Sequence, residues 1–262
     1  MHEDYASRAG IEGRLLRIME RWCFRWVDHV VYANAAHQDI VGSASVPATR
    51  IPNYPVTSEQ QAVQQRATPK RVLYTGVMAD QGGRGLSNLI ALAHHLHRAL
   101  SDWQMRLAGV CYVEADRFRA EQAIARHGLN TMVERIGWTT YVSCAQMQSH
   151  YRASDVGLML ATSHPNIYTK VPTKFYEYLQ YGLPIICSDF PLWRDFIERY
   201  RCGAVVPAGD ALAAAQVLSH WRDDPKAYRN CAQAARQAAL KFQWKRVAPT
   251  LVSVYHRLLV GA

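Results

Sequence analysis

The chain has 262 residues, of which 49% are hydrophobic and 19% charged, and its formal net charge is +9 at pH 7. These values are ordinary for a soluble globular protein, and no apolar run approaches the ~18 residues that a membrane-spanning helix needs. The positive charge indicates anionic partners, but we find no RNA-binding signature, zinc finger or helix-turn-helix, so nucleic acid is not expected. Six widely spaced cysteines without a CxxC pair favour reduced thiols in a cytoplasmic protein and no zinc site.

Residues 1–56 contain a predicted helix at about 9–27, a strand at 28–33 and a short helix at 34–42. Two strands and two helices are too few to bury both faces of an α/β sheet, so we interpret this segment as the remnant of another domain. A polar stretch at 57–70 follows, which we interpret as a linker.

The helix at 9–27 carries a basic face and an adjacent apolar face. The basic residues are Arg14, Arg17, Arg21 and Arg25, and the apolar ones are Ile11, Leu15, Ile18, Met19, Trp22 and Trp26. One interpretation is an ordinary surface helix whose apolar stripe packs on a core. The other is a basic, tryptophan-bearing helix that contacts an anionic membrane.

From residue 71 the chain alternates short β-rich runs with longer helical patterns. The predicted strands lie at 71–76, 103–109, 131–137, 156–161, 183–188 and 203–207, and helices at 209–222, 225–241 and 244–259 follow the last strand. This alternation predicts an α/β fold with a doubly wound parallel sheet, helices on both faces and right-handed crossovers. We assign 71–240 to this domain and 241–262 to a C-terminal helix.

A first candidate anion site is the loop in YTGVMADQGGRGLSNLI, residues 74–90. It follows a strand, contains four glycines including Gly76, and leads into a helix near Arg84. Glycines let a backbone approach a phosphate closely, and an arginine can bind one bidentately. The loop matches neither the P-loop pattern nor a clean GxGxxG, so it is a weak signal alone.

A second candidate is the helix start in KVPTKFYEYL, where Lys174 lies in the first turn. A cation is disfavoured there by the helix dipole, unless an anion lies opposite. Pro172 suits the first helical position, and Val171 before it has no side-chain oxygen for capping the amides. Those amides, with Thr173 and Lys174, can cradle a phosphate, and Glu177 lies on the same side of the helix. The alternative is a Lys174–Glu177 surface pair, worth at most ~0.5 kcal/mol.

Several motifs in order resemble one known family. PTKFYEYLQYGLPIICSDFPLW, residues 172–193, is similar to the donor-site signature of GT-B retaining glycosyltransferases of glycosyltransferase family 4 (group 1). The TG…RGLSNLI loop, RIGW, HYRASDVGLML, RCGAVVPAGD and FQWKRVAPTLVSVYHRLL occur in the family's order and spacing. The resemblance covers essentially the whole chain and implies a GT-B C-terminal Rossmann-like domain.

The resemblance implies roles for individual residues. Glu177 is similar to the second glutamate of a paired motif that holds the ribose hydroxyls of the nucleotide. Lys174 would face the diphosphate together with Thr173, and Arg84 matches the basic residue of the phosphate loop, where Gly76 allows close approach. The resemblance therefore implies that the anion opposite Lys174 is a diphosphate bound at the same helix start.

The sequence departs from the family pattern in three places. The paired motif's first glutamate falls near Thr169, and the first basic residue of the phosphate loop falls near Val77 or Met78. MHEDY at the start resembles the interior of the family's first domain, which implies an N-terminally truncated acceptor side. His2 there matches a histidine near the acceptor and is our candidate catalytic residue. The C-terminal helix would pack back on the N-terminal part.

The resemblance implies retaining transfer of a sugar from a nucleotide diphosphate sugar to a polysaccharide or glycolipid acceptor. We expect no metal and no cofactor besides this donor substrate, because Arg84 and Lys174 can stabilise the charge on the leaving diphosphate. The location would be cytoplasmic, with peripheral contact at the inner face of a membrane. The alternatives are an inactive donor-binding module, or one half of a split enzyme that needs a partner chain or self-association. A GT-B epimerase would need acid/base residues on both domains.

Overall fold

The computed structural model describes residues 11–42, 46–56, 67–100 and 102–260. Its N-terminal part contains four short elements, with a 3₁₀ turn at Phe24–Trp26 after the first helix. They are helix α1 (Ile11–Cys23), strand β1 (Val30–Tyr32), helix α2 (Gln38–Gly42) and strand β2 (Ala48–Arg50). The two strands form a parallel pair, with Val30 opposite Ala48.

The remaining strands form one parallel sheet of six strands in the order β5-β4-β3-β6-β7-β8. They are β3 (Arg71–Thr75), β4 (Gln104–Val110), β5 (Val133–Trp138), β6 (Val156–Met159), β7 (Ile185–Ser188) and β8 (Gly203–Val206). The chain builds outward from β3 to β5 and then returns to place β6 on the other side of β3. This reversal is the switch point at which doubly wound sheets form a ligand crevice, beyond the carboxyl ends of the strands.

In the described part of the chain, eight α-helices connect or follow these strands. They are α3 (Leu86–Ala99), α4 (Glu114–Arg126), α5 (Cys144–Arg152), α6 (Thr173–Gln180), α7 (Pro191–Tyr200), α8 (Ala211–Asp223), α9 (Pro225–Ala239) and α10 (Trp244–Val260). Strand side chains such as Leu73, Leu107 and Ile185 are fully buried between the two helical layers. The predicted doubly wound parallel sheet is confirmed.

Helix α1 does not have the packing that the first interpretation of its sequence requires. Leu15, Ile18, Met19 and Trp22 of α1, and Trp26 in the 3₁₀ turn after it, are between 54% and 75% exposed. The interpretation as a helix packed on a core is therefore wrong for the described residues. None of the described helices is both long and apolar enough to cross a bilayer.

The segment that ends at residue 56 contacts the six-stranded unit through aromatic rings. The Tyr54 ring lies 5.0 Å from that of Tyr176 in α6 and 5.4 Å from that of Phe242, measured between centroids. The Trp244 amide at the start of α10 donates to the Pro55 carbonyl at 3.1 Å. Further along α10, Val254 is buried among exposed neighbours. The C-terminal segment thus touches residues 54–55 at its beginning.

Candidate functional site

A cavity of about 470 Å³ opens where the loops after β3 and β6 meet α6. Both cations singled out from the sequence, Arg84 and Lys174, line it. The other lining residues are Tyr74, Gln81, Gly82, Gly83, Tyr112, Met159, Ala161, His164, Asn166, Ile167, Lys170, Pro172 and Trp193. The cavity therefore lies at the switch point of the sheet, where ligands of such folds bind.

The glycine loop lies directly on the backbone that follows β6. A Cβ atom on Gly85, whose φ is +74°, would lie 1.9 Å from the Leu160 carbonyl oxygen, so no other residue fits there without a backbone shift. The Thr162 amide donates to the Gly83 carbonyl at 2.9 Å. This contact between the two loops places Arg84 on the wall of the cavity.

Lys174 extends across the end of β3. A Cβ atom on Gly76, whose φ is +104°, would lie 2.6 Å from the Lys174 Cε and 2.9 Å from its Nζ. The ammonium also lies 4.9 Å from the centroid of the Tyr74 ring, in cation–π geometry. The Tyr74 hydroxyl in turn donates to the Val77 carbonyl at 2.9 Å, which fixes the ring. Gly76 thus makes room for the lysine side chain.

Helix α6 begins one residue later than the sequence predicted. Pro172 is the N-cap, in an extended conformation with φ −63° and ψ 144°, and Thr173 is the first helical residue. The proline ring fixes φ at a value that suits both an N-cap and a first helical residue, so the two positions differ in ψ. The ψ of Pro172 is extended, which makes this residue the N-cap. Pro172 makes no side-chain hydrogen bond to the amides of the first turn. Pro172 and Lys174, on either side of that start, line the cavity.

Glu177 is held by a buried tyrosine. Its Oε2 accepts a hydrogen bond from the Tyr151 hydroxyl at 2.6 Å. Burial, and secondly the charge of Glu177, raise the pKa of Tyr151 well above its usual range, so the phenol keeps its proton and donates. Lys174 contacts Gly76 and Tyr74 instead, and the ion pairs of the described residues do not join it to Glu177. The simple Lys174–Glu177 surface pair is thus not what the structure shows.

Lys170, which was not predicted from the sequence, is a third cation on the cavity wall. Burial, and secondly the nearby charge of Lys174, lower the pKa of Lys170. The Lys170 carbonyl accepts from the Trp193 indole at 2.9 Å, which ties this loop to α7. The available signal was the four-residue spacing to Lys174 in KVPTK. None of the described residues that line the cavity is acidic, so the cavity is electrostatically positive.

Other predicted residues lie outside this lining. Thr173 is exposed and Glu177 is half-buried beyond the cavity wall, so their contacts to a donor stay predictions. Thr169, where the family's first glutamate falls, is exposed, and its hydroxyl donates to the Asn166 carbonyl at 3.2 Å. His2 lies outside the described residues.

Comparison with known proteins gives the family of this chain. The model of the family "Glycosyl transferases group 1" matches residues 56–238, more than half of the chain. A curated relative, phosphatidyl-myo-inositol mannosyltransferase from Mycobacterium leprae (strain TN), is 25% identical over 244 residues, which cover 91% of this chain and 61% of the relative.

Two solved structures share the fold at low sequence identity. Sucrose-phosphate synthase from Thermosynechococcus elongatus is 18% identical with a TM-score of 0.70, over 98% of this chain and 64% of that one. The pneumococcal O-GlcNAc transferase GtfA, solved with UDP and GlcNAc, is 16% identical with a TM-score of 0.71, over 92% and 47%. This chain therefore spans about half to two thirds of the length of these proteins. It belongs to the glycosyl transferases group 1 family and has the Rossmann-like architecture of GT-B enzymes.

Proposed function

We propose that this chain binds a nucleotide diphosphate sugar and transfers its sugar, with retention, to a saccharide or lipid-linked acceptor in polysaccharide or glycolipid synthesis. The observation that carries the proposal is that Arg84, from the loop after β3, and Lys174, from the first turn of α6, line one cavity at the switch point of the sheet. Membership of the group 1 family supports the reaction class. The UDP in the pneumococcal relative GtfA makes UDP a first choice of probe.

In this proposal the positive wall stabilises the leaving group. Negative charge builds on the diphosphate as the glycosidic bond breaks, and fixed cations in a partly dry site stabilise that charge most at the transition state. Arg84 contacts the diphosphate from the loop after β3 and Lys174 from the first turn of α6, which adds its amides because it has no side-chain cap. They supply the positive charge without a metal ion.

In our proposal the configuration is retained because the acceptor hydroxyl attacks the anomeric carbon from the same face from which the diphosphate departs. The described lining residues include no carboxylate to act as a nucleophile from the opposite face, which supports this route over a covalent intermediate. The diphosphate oxygen then takes the proton of the acceptor hydroxyl. The Glu177 carboxylate, which Tyr151 holds in place, accepts hydrogen bonds from the ribose hydroxyls of the donor. In the same proposal His2 is the catalytic residue near the acceptor.

The decisive experiment combines binding and turnover. We expect one of UDP, GDP, ADP, CMP and dTDP to raise the melting temperature of the purified chain, and the matching sugar nucleotides to be hydrolysed or transferred. An anomeric NMR assay of the product then tests retention. Failure of all five nucleotides to bind would reject the donor site, and an inverted product would reject the retaining route.

A second candidate is a donor-binding module that needs a partner chain for activity. The observation that favours it is the exposed apolar stripe of α1. A stripe of this kind is available for another chain or a second copy. Nucleotide binding without turnover by the pure chain would favour this candidate, whereas turnover by the pure chain excludes it.

We further propose that α1 contacts an anionic membrane. The exposed apolar residues of α1 and of the 3₁₀ turn that follows it include Trp22 and Trp26, and Arg14 and Arg25 are also exposed. Such a helix binds in the headgroup region through apolar area plus attraction to anionic lipid. Liposome flotation tests this: recovery should require anionic lipid and fall in a Trp22→Ser/Trp26→Ser double variant. Equal recovery with neutral and anionic vesicles would end this proposal.

A further inference from the structure

A buried carboxylate on α4 contacts the start of the glycine loop. Asp116, in the first turn of α4, is 3% exposed. Its Oδ2 accepts from the amide of Asp80 at 2.8 Å and from that of Gln81 at 3.4 Å, and its Oδ1 accepts from Arg119. Both loop amides precede the glycines that shape the cavity wall, so Asp116 holds the loop from the side away from the cavity.

Asp80 extends this hold to the other end of the loop. Its carboxylate accepts from the Ser87 amide at 2.8 Å and from the Ser87 hydroxyl, in the first turn of α3. Its carbonyl accepts from the Gly83 amide at 3.1 Å. The loop that carries Arg84 therefore closes on Asp80, whose own amide is bound by Asp116.

Asp80 and Asp116 also face a second cavity, of about 240 Å³, between α3 and α4. Its lining includes apolar residues such as Leu86 and Ile90 and the polar or basic side chains of Ser87, His94, His95, Arg119 and His127. Asp116 therefore holds the loop from the α4 side, whereas Arg84 lines the first cavity.

We propose that Asp116 is a positioning residue for the donor site. It fixes the glycine loop so that Arg84 meets the diphosphate without reordering the loop during binding. This role rests on the proposed function, because it matters only if the cavity binds a diphosphate. Pre-organised groups bind more tightly because less ordering remains when the ligand arrives.

The test uses the full chain in four forms: unmodified, Asp116→Ala, Asp116→Asn and Glu114→Ala. Glu114 is the matched control, an acidic residue in the same first turn whose side chain is 88% exposed and which contacts Arg117 rather than the loop. Hydrogen exchange measures the amides of residues 79–87 without ligand. Calorimetry measures the affinity for inorganic pyrophosphate and for UDP.

We expect Asp116→Ala to speed exchange at Asp80 and Gln81 and to lower pyrophosphate and UDP affinity about tenfold, as for loss of a buried hydrogen-bond partner. Exchange in β3 and β6 should stay unchanged, Asp116→Asn should recover most of the affinity because it keeps an acceptor oxygen, and Glu114→Ala should match the unmodified chain. Unchanged loop exchange, or faster exchange with full affinity, would overturn the inference. No binding by the unmodified chain would instead reject the donor site, and with it this role. If Asp116→Ala does not fold, Asp116→Ser, which keeps a polar group but is too short to reach both loop amides, decides by the same two measurements, with faster loop exchange and lower affinity expected.

Discussion

Among the described residues, three helices carry a lysine at their second position, α6, α9 and α10, and the starts of α6 and α9 are built differently. Lys226 occupies this position in α9 and Lys174 in α6. Before α9, the Asp224 carboxylate accepts from the amides of the second and third helical residues at 3.0 and 3.1 Å. Before α6, the cap is Pro172, which offers the amides no side-chain acceptor. The start of α9 therefore has a negatively charged cap, and the start of α6 does not.

The difference shows what makes a helix start a binding site. Lys226 is exposed, and the acceptor for its helix is already present. Lys174 lies on a cavity wall with Arg84 and Lys170, where no described lining residue is acidic. A lysine in a first turn is thus not informative alone. A missing cap and a shared positive cavity together indicate that the acceptor comes from a ligand.

The largest effect is expected when the two lysines are removed one at a time. Lys174→Ala should weaken UDP binding by about 1–3 kcal/mol, the range for hydrogen bonds to charged groups. Lys226→Ala, at the same helical position, should leave the affinity unchanged. Calorimetry on both variants checks this. Equal losses, or no loss in either, would mean that the two helix starts do not differ in function.

A second prediction concerns the space that Gly76 leaves for Lys174. Gly76→Ala should lower the free energy of unfolding by about 1–2 kcal/mol, because φ is left-handed, and should weaken UDP binding by displacing the lysine. Gly128 is the matched control, with φ +66° and nothing within 4 Å of an added Cβ. Gly128→Ala should cost similar stability in denaturant unfolding with full UDP affinity. A loss of affinity in both variants would point to general destabilisation instead.

The caps can be changed to test the comparison directly. Asp224→Ala should lower the free energy of unfolding by about 1 kcal/mol, as for loss of a side-chain cap, without changing UDP affinity. Pro172→Asp should do the reverse at α6: the new carboxylate binds the free amides, neutralises Lys174 and competes with UDP. Pro172→Ala separates this effect from loss of the proline ring. Unchanged affinity in Pro172→Asp would show that the α6 amides do not contact the ligand.

The sheet and much of the cavity could be predicted because they depend on local patterns. The alternation of strands and helices predicted the doubly wound sheet. The observed boundaries differ little from the predicted ones: α6 spans Thr173–Gln180, against a predicted helix at 172–182. Arg84 and Lys174 were found because each lies at a strand–loop–helix transition, and parallel strands bring such transitions to one edge.

What could not be predicted depends on contacts between distant segments. Lys170 lies in a polar loop with no periodicity, and only the path of that loop after β6 places it on the cavity wall. The hydrogen bond from Tyr151 in α5 to Glu177 in α6 joins residues that are 26 positions apart in the sequence. The sequence could not decide between the two interpretations of the α1 stripe, because periodicity gives the apolar face of a helix but not whether anything covers it.

The smallest expected effect is a pH dependence of stability and of UDP affinity that comes from the lysines near the start of α6 and not from Lys226 in α9. Burial and the charge of Lys174 lower the pKa of Lys170, so this group loses its proton at a lower pH than an ordinary lysine. The ligand-free chain should therefore gain stability as the pH rises through that pKa, because the fold disfavours the charged form.

UDP affinity should change in the opposite direction, falling over the same pH range as one positive charge leaves the cavity wall. Lys170→Arg should remove this decline, since a guanidinium stays charged throughout. Lys226→Ala is the control and should retain it. Calorimetry between pH 7 and pH 10 in one buffer series measures all three chains. A decline that persists in Lys170→Arg would assign the titration to another group and would remove Lys170 from the donor site.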